Sequence, residues 1–301
     1  MRSVDAVVVG GGPSGLAAAT WLARHRRSVV VVDSGEYRNR WVDEAHGYLS
    51  QSTLRPLEFL RACRDELLTY DEVSVVSGAV TSVAGVCDAF AVDVSGGGID
   101  ELHARRLVLA TGVEDEFPDV AGFFDHYGTS VFHCPVCDGY EARGRDVVVF
   151  GWGEHVTGFA LGMLTWASTV AVVTDGRDFE GDAGDEHALR SAGVAIVEDV
   201  AAELVGRRGD LRAVRLGSGV ELPCGMAFFS IGHHPRSQLA LALGCDVGEA
   251  DCVAVDGEGR TSVAGVFAAG DLVPGLQLVQ VAAGKGAVAG VGCARSLLQT
   301  A

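Results

Sequence analysis

The sequence predicts an α/β protein with two β-α-β units of the nucleotide-binding kind in one chain. Three observations carry this. Residues 5–9 form a short β-branched run, followed by Gly10-Gly11-Gly12-Pro13-Ser14-Gly15 and a helical stretch with Leu16, Ala19 and Leu22 on one face. A second apolar strand, residues 29–32, then ends at Asp33. The pattern returns as strand 147–150, turn Gly151-Trp152-Gly153, a helix, and strand 170–173. Near the end, residues 261–271 read as a strand closing on Gly270-Asp271, and a small-residue helix over 281–294 follows. Strand, glycine turn and helix within about 30 residues are the mark of a parallel β-α-β unit.

Each element has a chemical reason. Glycine permits the tight turn and lets the backbone approach a ligand closely, and the start of the helix that follows offers N–H groups and a positive dipole end to a pyrophosphate. Asp33, at the end of the second strand, is placed to accept hydrogen bonds from a ribose hydroxyl. Residues 105–112 read as a buried strand that runs into Ala110-Thr111-Gly112. Cys134-Pro135-Val136-Cys137 is the one close cysteine pair; Cys63, Cys87, Cys224, Cys245, Cys252 and Cys293 are scattered and read as small core residues. A close pair that opens a helix has a lowered thiol pKa and suits dithiol exchange, because the thiolate is the attacking species. His133 and Asp138 flank the pair and are candidates to exchange its protons. No second close pair or paired histidines complete a zinc site, so no metal is expected.

The totals bound the function. The 301 residues suffice for two domains, and 48% hydrophobic with 21% charged residues is an ordinary globular balance. A net charge of −17 argues against nucleic acid and anionic membranes. Lys285 is the only lysine. No apolar run approaches the roughly 18 residues of a membrane span, and the opening run is too short for a signal peptide, so a cytoplasmic location is expected.

In their order along the chain, the opening glycines, Ala110-Thr111-Gly112, the Cys134–Cys137 pair with Asp138-Gly139, Ile231-Gly232-His233 and the closing residues 265–271 resemble the low-molecular-weight thioredoxin reductases and their relatives among the two-dinucleotide-fold flavoproteins. The resemblance implies two Rossmann-like dinucleotide-binding domains, the second inserted into a discontinuous FAD domain: residues 1–115 and 236–301 for FAD, residues 116–235 for an NAD(P)-binding-like domain that carries the cysteine pair. It implies that Gly10, Gly12, Pro13, Ser14 and Gly15 cradle the FAD pyrophosphate, with Asp33 on the adenosine ribose. Thr111 and Gly112 would lie against the cofactor, Gly270 and Asp271 at the ribityl chain, and the helix starting near Gln280 would point its N-terminus at the isoalloxazine. Cys134 would meet the partner, Cys137 the flavin, and Asp138, helped by His133, would hold the proton. A thioredoxin-like protein or a small disulfide or dithiol is the implied partner, and a homodimer the implied assembly.

Two places depart from the family pattern. Val156 stands where a nicotinamide-nucleotide site carries a small residue, Trp152 and Glu154 crowd the turn, and Arg177 lies among Asp175, Asp178, Glu180 and Asp182, where a 2′-phosphate needs several cations. Poor NADPH binding is therefore expected, with NADH, ferredoxin or no nicotinamide as donor. The family's Arg-Gln-Ala triplet before the last helix is replaced by Leu276-Gln277-Leu278-Val279-Gln280. Two alternatives stay open: a dithiol oxidase that passes electrons from a small dithiol through FAD to O₂, whose known members commonly carry His at the position of Asp138, and a flavin-bound redox sensor without turnover.

Overall fold

In the computed structural model, which describes residues 2–51 and 53–298, the first strand, Arg2–Val9, is buried on both faces over residues 6–9. Val7 and Val9 enter one core with Val30, Val32, Leu107 and Leu109. Ala6 and Val8 enter another with Leu16, Ala19, Leu22, Val31 and Val108. Successive side chains of a strand point to opposite faces, so an uninterrupted Ala-Val-Val-Val run is what a sheet covered on both sides requires. Arg2–Val9 pairs in parallel with Val29–Asp33 and Glu101–Leu109. Val73–Ser77 joins the far edge of Val29–Asp33, and Val266–Ala268 pairs in parallel with Glu101–Leu109. The antiparallel strands Ala79–Val86 and Ala89–Ser95 complete a seven-stranded sheet.

The opening helix, Pro13–Arg24, packs on the closing helix, Val279–Ser296, through backbone rather than side chains. A Cβ at Gly290 would stand 2.5 Å from the Ala18 carbonyl oxygen, and one at Gly286 would overlap the Ser14 carbonyl. That contact explains the small-residue composition of the last helix. Gly290→Ala should lower stability by about 1–3 kcal/mol, the usual cost of overpacking a tight contact; an unchanged denaturation midpoint would show that the helices separate freely.

Contacts gather the chain into two units: Met1–Arg38, Leu57–Glu114 and His233–Ala301 in one, and Asn39–Pro56 and Asp115–Gly232 in the other. The second unit holds an all-parallel sheet in the order Ala195–Val197, Thr169–Val173, Asp146–Phe150, Met226–Phe229, Val131–Phe132. Beside it lies an antiparallel meander of Ala201–Arg207, Asp210–Leu216 and Glu221–Pro223. Asn39–Pro56, which the sequence pattern assigns to the first part, packs here: the Trp41 ring lies 4.9 Å from that of Phe124, and Gly128 has no room for a side chain beside the Trp41 carbonyl. Among the described residues, no helix is long and apolar enough to cross a membrane.

Candidate active site and nucleotide-binding turns

In the first unit, the predicted cofactor residues meet at the carboxyl ends of the parallel strands. Gly10 leaves the first strand with φ 105° and has Ala110, which leaves the neighbouring strand, directly against it. Gly15 abuts the Gly10 carbonyl, so neither glycine tolerates a Cβ. Gly12 differs: it caps the helix from an extended conformation, no side chain caps the first turn, and a Cβ there would meet nothing within 4 Å. The Ser14 hydroxyl is buried and makes no hydrogen bond among the described residues. Open space at Gly12, uncapped helix N–H groups and an unsatisfied hydroxyl are together what could hold phosphate oxygens. Gly270 touches Ser14, a Cβ there standing 2.9 Å from that of Ser14, and so brings Asp271 to the same end of the sheet.

Asp33 is buried and already engaged. Its Oδ1 accepts from the N–H groups of Gly11 and Gly35, each at 3.1 Å, and its Oδ2 accepts from the Tyr37 hydroxyl and the Arg64 guanidinium. Asp33 therefore shapes the glycine turn from beneath. Burial, then the hydrogen bond to Asp33, pushes the Tyr37 hydroxyl up to about 12, so it stays a donor. Thr111 and Gly112 are tied to Arg236: the Thr111 hydroxyl donates to its carbonyl at 2.7 Å, and the Arg236 N–H donates to Gly112 O at 2.9 Å. Arg38 donates to Gln277 Oε1 at 2.6 Å and lies 3.4 Å from Asp271 Oδ2. Lys285 clamps the turn that carries Asp271, its Nζ donating to the carbonyls of Gly270, Val273 and Pro274 at 2.9–3.2 Å. The closing helix starts at Val279, one residue before Gln280, and Leu278 caps it without a side-chain hydrogen bond.

In the second unit, Cys134 and Cys137 are joined by a disulfide across one short helical turn, Pro135–Asp138, with Cα atoms 5.2 Å apart. Pro135 opens the turn, where its missing N–H costs nothing. Cys134 caps it, its sulfur accepting from the Cys137 N–H at 3.1 Å. Both cysteines are half-buried, whereas Val136 and Tyr140 are exposed. Gly139 follows, pressed on the Trp166 ring so that a Cβ would come within 2.7 Å. The Asp138 N–H donates to the Cys134 carbonyl at 3.1 Å, and its side chain is only 6% exposed. Burial, and then the negative charge of Glu141, raises the Asp138 carboxyl to about 7. A carboxyl poised near neutrality suits both giving and taking a proton. His133 is held from the other side: its Nδ1 is 3.0 Å from the hydroxyl of the buried Tyr127.

The raised Asp138 carboxyl has a consequence for stability. Its folded pKa lies above the unfolded one, so the folded state prefers the proton. The contribution of this one group to stability is fully present below about pH 4 and is lost as pH rises to about 7, by on the order of several kcal/mol in all. Asp138→Asn should therefore match the parent near about pH 4 and exceed it near about pH 8. Denaturant titrations at both pH values check this; parallel curves for the two proteins would contradict it.

The second glycine turn is filled by its own side chains. Val156 is fully buried, its Cγ2 lying 2.6 Å from where a Gly151 Cβ would be. The His155 ring lies against Gly153, 2.7 Å from the position of a Cβ there, and its Nε2 is 3.1 Å from the Ser230 carbonyl oxygen. The Arg177 guanidinium stacks on the Trp152 ring at 4.0 Å. Two of the four surrounding acids serve the fold: Asp175 accepts from the Ala201 N–H and Asp182 caps the helix Ala183–Ser191. His155, Lys285, Arg64 and Tyr127 carry no motif; the first three act through contacts distant in sequence, and Tyr127 through His133 six residues on. Cys224, Cys245, Cys252 and Cys293 are buried as expected, while Cys63 and Cys87 are partly exposed; burial raises all six thiols.

Comparison with known proteins agrees with this geometry. Residues 4–286 match the family model described as pyridine nucleotide-disulphide oxidoreductase. The chain is 33% identical over 307 residues to the thioredoxin reductase tcpT of Claviceps purpurea, covering 98% of this chain and 94% of that one. The crystal structure of HlmI superposes with a TM-score of 0.91 at 35% identity, covering 99% of this chain and 93% of that one. An oxidoreductase from Agrobacterium tumefaciens superposes at 0.88 with 32% identity over the whole of both chains. The fold is thus the expected α/β pair of Rossmann-like sheets, and the chain belongs to the pyridine nucleotide-disulphide oxidoreductase family, as a thioredoxin reductase-like enzyme.

Proposed function

We propose that this enzyme is an FAD-dependent thiol–disulfide oxidoreductase in which electrons pass between the flavin and the Cys134–Cys137 pair. The observation that carries the reading is the pair itself: a disulfide capping a helical turn, half-buried, with a carboxyl of pKa about 7 next in the chain. The residues of the first unit fit FAD. The open space at Gly12 and the unsatisfied Ser14 hydroxyl suit its pyrophosphate, Gly10, Pro13 and Gly15 shape the turn, and Thr111, Gly112, Gly270 and Asp271 line the same end of the sheet. Gln280, in the first turn of the closing helix, would mark the end aimed at the ring system. When bound, FAD supplies a two-electron store. The domain limits that go with this reading are 1–115 and 236–301 for FAD, and 116–235 for the redox pair.

The chain's own residues do the rest. A partner thiolate attacks the Cys134 sulfur, a mixed disulfide forms, and Cys137 leaves as thiolate. A second partner thiol then displaces Cys134, so that a dithiol and the protein disulfide exchange to a partner disulfide and two protein sulfhydryls. Asp138 takes the proton as the partner thiol ionises and returns it to a departing sulfur, and His133, fixed by Tyr127, serves the Cys134 side. The exposed Val136 and Tyr140 offer an apolar approach for a thioredoxin-like protein or a small dithiol. The homodimer and cytoplasmic expectations remain part of this proposal.

The donor is proposed not to be NADPH. His155 lies over Gly153, Val156 fills the space at Gly151, and the nearest cation, Arg177, is stacked on Trp152. A sum of about 3 kcal/mol is more than a hundredfold in affinity. The same observation favours the second reading, a dithiol oxidase whose electrons leave to O₂. Anaerobic mixing with a dithiol, NADPH and NADH in turn tests both. The dithiol should bleach the flavin and micromolar NADPH should not; recovery of the flavin spectrum in air at the turnover rate would mark the oxidase. Rapid stoichiometric bleaching by NADPH would overturn the donor proposal.

A further inference from the structure

Asp138 is nearly sealed from water, yet a group that exchanges protons at each turnover needs a way to renew them. Its surroundings contain one. Glu141 lies one short helical turn further on, in Gly139–Ala142, and its negative charge acts on Asp138. The Glu141 Oε2 is buried and makes no hydrogen bond among the described residues. Its other oxygen, Oε1, is 3.9 Å from His46 Nε2, and the His46 side chain is 26% exposed. A half-buried carboxylate with one buried, unbonded oxygen and an imidazole near the other has the arrangement of a transfer group, because a buried unsatisfied carboxylate oxygen is costly unless it has a use. Imidazole is the side chain suited to collect and release protons near neutral pH.

We propose that Glu141 and His46 form a proton path that connects the buried carboxyl of Asp138 to solvent. The inference rests on the redox reading of Cys134 and Cys137. As a partner thiol ionises, its proton goes to the Asp138 carboxylate; it then passes to Glu141, to His46 Nε2 and, from the opposite ring nitrogen, to water. The reverse order supplies the proton for a departing sulfur. No electrons move in these steps, and each proton gained by one group is lost by the next. In this path Glu141 and His46 act through Asp138 and are positioning residues for its proton. Among the described residues, Glu141 is the charged group that both acts on the Asp138 carboxyl and lies beside His46.

The test uses FAD-loaded His46→Ala, His46→Gln and Glu141→Gln, each with its flavin spectrum and Cys134–Cys137 disulfide verified. Flavin bleaching by dithiothreitol is followed anaerobically by stopped flow. Each variant should slow the proton-coupled step by about tenfold or more and leave its dependence on dithiol concentration unchanged. Added imidazole should restore His46→Ala but not Glu141→Gln. Independently of turnover, carbon-13 NMR of the Asp138 carboxyl in the oxidised protein should show a lower titration midpoint in Glu141→Gln. Bleaching of all three variants at the parent rate would overturn the path, as would a slow His46→Ala that imidazole does not rescue. If the parent itself is not bleached by dithiols, the redox reading falls and takes the path with it; a bleached parent with indifferent variants removes the path alone.

Discussion

Gly12→Glu should yield a folded but colourless protein. A Cβ at Gly12 meets nothing within 4 Å, and its backbone is extended, so the chain itself tolerates a side chain there. The space is the one proposed for the FAD pyrophosphate. A carboxylate there brings both bulk and like charge to two phosphates and takes the helix N–H groups for itself, a loss of at least ~3 kcal/mol, or more than a hundredfold in affinity. Absorbance of the flavin against protein concentration should fall from about one FAD per chain to a trace, with the far-ultraviolet circular dichroism of the parent retained. The contrast is Gly15→Ala, whose Cβ would overlap the Gly10 carbonyl and which should damage the fold as well. Full FAD retention by Gly12→Glu would remove the cradle assignment.

Cys137→Ser should keep FAD and lose dithiol-driven flavin reduction by on the order of a thousandfold or more, as removal of a nucleophile that works as part of a unit does elsewhere. Serine is close in volume to cysteine, so the turn Pro135–Asp138 and its cap at Cys134 need not change. The expected split is therefore a normal flavin spectrum with almost no bleaching by dithiothreitol. Parent-like bleaching by both this variant and Cys134→Ser would show that electrons reach the flavin without the pair.

What was legible in the sequence was what is local. The opening run of residues 5–15 carries its own turn chemistry: Gly10 needs its positive φ, Gly15 its close approach, and the unbroken Val7-Val8-Val9 run needs a sheet covered on both faces. Cys134, Cys137 and Asp138 lie within five residues, so the redox turn could be read whole. What was not legible depends on contacts between distant segments. Lys285 had no motif to mark it, yet it fastens the turn of Asp271. Asp33 was read as an acceptor for a ribose hydroxyl; that Arg64, thirty-one positions away, and Tyr37 also donate to it was not legible. The bulk of Val156 beside Gly151 could be read from the sequence; the His155 ring over Gly153 could not, because its direction is set by the Ser230 carbonyl seventy-five positions on. Asn39–Pro56 gave no compositional sign that it packs with the later unit, where it delivers His46 to Glu141.

The most direct test of the central claim, that Cys137 is the sulfur that exchanges electrons with the flavin, is the absorption spectrum of oxidised Cys134→Ser holoenzyme as pH is raised from about 5 to about 9. The variant leaves Cys137 as an unpaired thiol. A broad long-wavelength charge-transfer band that grows as Cys137 ionises, and that is absent from Cys137→Ser, is the predicted result. An FAD-loaded Cys134→Ser protein with no such band at any pH, or the same band in Cys137→Ser, would contradict it.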